Sequence, residues 1–147
     1  MEKSTNKVLA GIVALVVVIA ALVATVGNRP VAQIDRSKPE GVVQAYLQAV
    51  LARDFDQAAT YFATTSTCTA DNLVAAYIPE NATVSLGEVT VTASSANVTV
   101  SVEISSGEPL GSRYTETHTY RLVTGAPDNT WKLTGTPWPL YDCGVLK

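Results

Sequence analysis

PEGVVQAYLQAVLARDFDQAATYF, residues 39–62, reads as one helix followed at once by another. Val43, Tyr46, Leu47, Val50 and Leu51 recur at steps of three and four, which places them on one helical face. Ahead of them Ser37-Lys38-Pro39-Glu40 has the form of a capping box: a hydroxyl to cap, proline early in the first turn, glutamate three residues on. Arg53-Asp54-Phe55-Asp56-Gln57 breaks the period, and Asp54 with Gln57 opens a second helix whose face is Phe55, Ala58, Ala59 and Phe62. A third helix is expected over Ala70–Ile78, capped by Thr69, with Leu73, Val74, Tyr77 and Ile78 inward and Pro79 ending it.

Downstream of these helices the period changes to two. Val84 and Leu86 alternate, Gly87 interrupts, and Val89 and Val91 resume on the other phase, the pattern of a strand with a bulge. Val98, Val100, Val102 and Ile104 form the apolar side of a second strand. After the turn Ser105–Gly111 come a longer strand, Arg113 to Thr124, a turn from Gly125 to Asn129, and a last strand from Thr130 to Gly135. Helices first and antiparallel strands after make an α+β domain, with three helices laid across one face of a curved four-stranded sheet.

Upstream of the helices, Val8 to Val26 (VLAGIVALVVVIAALVATV) is an uncharged run of 19 residues. At about 1.5 Å rise per residue a helix of that length spans roughly 28 Å, close to the hydrocarbon thickness of a bilayer. A cleaved signal peptide has a shorter apolar stretch and a small-x-small cleavage site. The following Thr25-Val26-Gly27-Asn28-Arg29-Pro30 offers no good such pair, so an uncleaved anchor is expected. Lys3 and Lys7 precede the run and Arg29, Arg36 and Lys38 follow it, so basic residues alone do not orient it. The short tail ahead of a large domain, together with two cysteines in that domain, argues for an N-terminus inside and a domain outside the cytoplasmic membrane. The expected organisation is a cytoplasmic tail over 1–7, a transmembrane helix over 8–27, a tether over 28–37 and an extracytoplasmic domain over 38–147.

The chain carries 10 Lys and Arg against 13 Asp and Glu; Lys3, Lys7 and Glu2 precede the apolar run, leaving 8 against 12, a net charge of −4, for the remainder. Nucleic acid is excluded as a partner on that ground, since binding it takes clustered positive charge. Thr60–Thr136 holds 16 Thr and 8 Ser, which suits the solvent face of a sheet. Cys68 and Cys143 are the two cysteines. An even number in a domain outside the membrane suggests a disulfide, with two free thiols as the alternative. Two Cys and one His at these spacings make a poor metal set, and no phosphate-binding glycine loop or nucleophile elbow occurs. No cofactor is expected.

The segment 39–62, a four-stranded meander closing on a Trp, and the C-terminal TWKLTGTPWPLYDC resemble the nuclear transport factor two-like superfamily, a cystatin-like cone. Over roughly residues 38–143 the chain is similar to its membrane-anchored envelope members from actinobacteria. That resemblance implies a cone-shaped domain. It leaves the activity open, because the superfamily hosts isomerases, dehydratases, transport factors and assembly domains. Its enzymes hold an acid/base pair in the cone, but no position here matches the isomerase pattern, so no catalytic residue is carried over and a non-catalytic binding or scaffolding domain of the envelope is expected.

The alternative is a pocket for a small apolar molecule, or a weak acid/base enzyme. Tyr114, Glu116, His118 and Tyr120 share one face of the third strand, with Glu116 and His118 about 7 Å apart along it. A carboxylate beside an imidazole orients it as a base, although the same pair also suits a solvated or partner-covered surface. Trp138, between Pro137 and Pro139, sits on a stiff strap. Either Trp131, Trp138 and Tyr141 plug one open end of the cone, or the strap is exposed as an anchor for a partner.

Overall fold

The computed structural model describes residues 32–106, 111–125 and 129–143. The run Val8–Val26 and its expected membrane helix lie outside them, as do most of the two turns that join the last three strands. No helix among the described residues is long and apolar enough to cross a membrane. The chain divides into two compact units, and the second, Gln33–Lys147, is the α+β domain.

Its described residues form three helices, α1 (Pro39–Leu51), α2 (Phe55–Ala59) and α3 (Ala70–Ala75). They precede four strands, β1 (Ala82–Val91), β2 (Ser95–Ser105), β3 (Arg113–Gly125) and β4 (Thr130–Thr134). The sheet is open, antiparallel and ordered β1-β2-β3-β4. As the change of phase at Gly87 predicts, β1 shifts register between Leu86 and Val89. The outer edge of β4 is covered: Leu133 exchanges backbone hydrogen bonds with Tyr61 and Ala63 at 2.8 and 2.7 Å. The core lies between the helices and one face of the sheet. Val43, Tyr46 and Val50 of α1 meet Val98, Val100 and Val102 of β2, Tyr120 and Leu122 of β3, and Leu133 of β4.

The helix ends depart from the expected chemistry in two places. The N-cap of α1 is Lys38, not Ser37, and it makes no side-chain cap. The Ser37 amide donates instead to the Asp35 carboxylate at 2.9 Å, and the Lys38 amide to the Asp35 carbonyl at 3.0 Å. Asp35 thus turns the chain into the helix, and a Cβ on Gly41 would run into its carbonyl. With Ile34 also donating to Gln44 at 2.8 Å, residues 34–37 are docked on α1 rather than free of the domain. The expected third helix stops early, at Ala75, with Ala76 extended. Leu73 and Ile78 are buried as expected, but Val74 and Tyr77 point outward, at 65% and 82% exposure. Pro79 disfavours helix at the residue before it, so the last turn of the expected helix does not form.

The corner between α1 and α2 is a Schellman motif. The Asp54 amide donates to Ala49 at 2.9 Å and the Arg53 amide to Val50 at 3.0 Å, while the Asp54 carboxylate caps α2 through the Gln57 amide at 3.1 Å. The left-handed position of the motif, where glycine is usual, is held by Arg53 with φ of 60°. Replacing Arg53 with Gly is therefore expected to stabilise the domain by about 1 kcal/mol, measured by urea unfolding.

Inside the core, Tyr46 packs against Phe62 and Tyr120 with ring centroids at 5.7 and 6.1 Å, and its buried hydroxyl has no hydrogen-bond partner among the described residues. Burial pushes the ionisation of both Tyr46 and Tyr120 well above the ordinary tyrosine value. Above about pH 10 the unfolded chain releases these two protons while the folded chain keeps them, so the stability they contribute is full below pH 10 and falls above it. The expected loss is about 1.4 kcal/mol per pH unit for each ring. Tyr46→Phe should remove one such share between about pH 10 and 11, and should add about 1 kcal/mol at neutral pH by deleting an unpaired buried hydroxyl. Urea unfolding of both proteins at neutral and alkaline pH measures each effect.

Candidate functional site

β3 turns Tyr114, Glu116, His118 and Tyr120 toward the helices, because Tyr120 and Leu122 on the same side enter the core. Their cross-strand neighbours on β2 are Ile104, Val102, Val100 and Val98. Burial deepens along this row, from Tyr114 at 55% exposure to Tyr120 at 1%. Glu116 and His118 lie between, their side chains 30% and 21% exposed, and His118 Nε2 sits 3.0 Å from Glu116 Oε2. The four residues chosen from the strand alternation therefore do share one face, with the carboxylate and imidazole in direct contact.

Over this face lies the strap that follows β4. Its disulfide is present: Cys143 is joined to Cys68, with Cα atoms 4.8 Å apart and both residues buried. Trp138 and Leu140 face the core, and the Trp138–Pro139 peptide is cis. The Tyr120 hydroxyl donates to the Trp138 carbonyl at 3.2 Å, and the Tyr141 hydroxyl to Glu116 Oε2 at 3.2 Å. The His118 ring lies 6.2 Å from that of Trp138 and 6.3 Å from that of Tyr141. Of the three expected plug residues, Trp138 is buried at 3% exposure and Trp131 partly so, but Tyr141 is not: at 72% it is the aromatic that the strap exposes, because its hydroxyl reaches back to Glu116 from the outside. Desolvation, then the Glu116 charge, raises the ionisation of both Tyr141 and Tyr114.

Chemically, Glu116 Oε2 is shared between the imidazole and a phenol of the strap. A carboxylate held in this way orients His118 and ties the strap to the sheet. Three surface grooves are lined by other residues than Glu116, His118 and Tyr120. One of about 630 Å³ lies between the α2–α3 loop and the β3–β4 hairpin, where Lys132 Nζ donates to the Thr60 carbonyl at 2.7 Å. Another, of about 620 Å³, runs between the segment joining α3 to β1 and the facing ends of β2 and β3. Tyr114 lines it, together with Tyr77 and Arg53. Neither of the last two stands out from the sequence: Tyr77 falls at helical spacing with Leu73, and Arg53 looks like an ordinary solvated charge. Pro79 is the one local signal that Tyr77 leaves the helix. No group of three or more metal-ligating side chains occurs among the described residues.

No family model matches the chain, and no curated protein matches it in sequence.

Proposed function

We propose that the protein is a single-pass, membrane-anchored binding or scaffolding domain of the cell envelope, held outside the cytoplasmic membrane with its N-terminus inside, and that it is a cone-like member of the nuclear transport factor two-like superfamily. The observation that carries the reading is the pairing of an apolar run long enough to span a bilayer, Val8–Val26, with a domain behind it that contains a disulfide. Disulfides persist on the oxidising side of a membrane and are rare in the cytosol. The helices-then-meander order and the strap over the inner face support the superfamily resemblance. Contact with envelope proteins is expected through the polar outer face of the sheet or the strap. The test is thiol alkylation, with and without reductant, of protein taken from intact membranes. A linked Cys68–Cys143 pair on a chain that retains Val8–Val26 is the expected result. Two free thiols on that chain would turn the domain to the cytoplasm and sink the reading.

A second reading, a binder of a small apolar molecule or a weak acid/base enzyme, draws on the contact between Glu116 and His118 on the inner face of the sheet. It requires a path for the ligand past Trp138 and Tyr141. Rapid acylation of the His118 imidazole by diethyl pyrocarbonate in the oxidised protein would favour it, and protection until the disulfide is reduced would count against it.

A further inference from the structure

The groove beside Tyr77 lies outside the strap and the Glu116–His118 contact and shares with their face only Tyr114. Tyr77 is 82% exposed and Tyr114 55%, and both rings line the groove. The two residues come from different elements, Tyr77 from the segment after α3 and Tyr114 from β3, and the fold brings them to one groove. Arg53, Glu80 and Asn81 supply its polar wall. Arg53 keeps a left-handed backbone that glycine would adopt without strain, and it is one of the residues that line the groove. A position beside a groove that forgoes glycine for a residue with a five-donor side chain is one where that side chain has a use.

We infer that this groove binds an uncharged oligosaccharide, with Tyr77 and Tyr114 as the rings on which sugar faces stack and Arg53, Glu80 and Asn81 as the groups that read its hydroxyls. A pyranose has an apolar face of C–H bonds and a rim of hydroxyls. That combination matches exposed phenol rings set beside a donor fork, a carboxylate acceptor and an amide that does both. The charges of Arg53 and Glu80 oppose each other, so the groove selects neither polyanions nor polycations. An apolar ligand would instead need an enclosed, apolar-lined cavity, whereas this one is open and partly polar. Its 620 Å³ lies within the roughly 300–1,000 Å³ of small-molecule sites. The inference gives the binding reading above a ligand class and needs no membrane orientation, so the alkylation result and the binding result stand or fall separately.

The experiment is calorimetric titration of the full chain in phosphocholine micelles with tetrasaccharides of glucose, N-acetylglucosamine, galactose and mannose. Saturable binding of at least one is expected. Tyr77→Ala and Tyr114→Ala should each weaken it by about tenfold or more. Arg53→Gly should weaken it as well while the melting temperature holds or rises, which separates lost contact from lost folding. Binding of none of the four, or binding indifferent to Tyr77→Ala, would overturn the inference.

Discussion

Replacing Cys68 and Cys143 together with serine lowers the unfolding free energy by an expected 4 kcal/mol or so, a large share of the roughly 5–15 kcal/mol that holds a domain of this size. The bond joins residues 75 apart in sequence, so its loss frees a long loop in the unfolded chain. The native state loses as well, because the two sulfurs are buried and serine brings hydroxyls into their place. Urea unfolding of the oxidised protein and of the double variant measures the difference. A loss below about 1 kcal/mol would mean that packing alone holds the strap and that the crosslink does little to the unfolded chain.

Trp138→Ala is the other large effect, at about 3–5 kcal/mol. The indole is 3% exposed and packed within the core cluster, and its removal leaves a cavity that the disulfide-tethered strap is not free to close. Trp131 is only partly buried, so Trp131→Ala should cost less, and its retained fluorescence reports on Trp138→Ala. The disulfide and Trp138 hold the same strap, so the combined variant is expected to lose less than the sum of the separate losses. Strict additivity would show that the two act on different parts of the domain.

Much of this fold was legible because its signals are local. The three- and four-residue steps from Val43 to Val50 mark α1, the alternation from Val98 to Val102 marks β2, and Gly87 marks the bulge in β1. Asp54 announces the cap of α2 because its chemistry acts over three residues. The Ser37 cap failed for the same kind of local reason: Asp35, a better acceptor, takes the Ser37 amide two residues earlier. Tyr77 shows where periodicity misleads. It keeps the spacing of an inward residue, but the helix it would extend ends at Ala75.

The candidate site was legible only as a face. Strand alternation places Tyr114, Glu116, His118 and Tyr120 together, since successive side chains must point to opposite sides. Which side meets the helices is a matter of packing, and it depends on Tyr120 and Leu122 joining α1 in the core. Likewise the number of cysteines suggests a crosslink, but the burial of Trp138 and the hydrogen bond from Tyr141 to Glu116 arise from a strap folded back over the sheet. Backbone geometry and apolar period act over a few residues and are written into any short stretch of chain. That Tyr77, Tyr114 and Arg53 line one groove depends on where whole elements come to rest, and only the packed domain decides that.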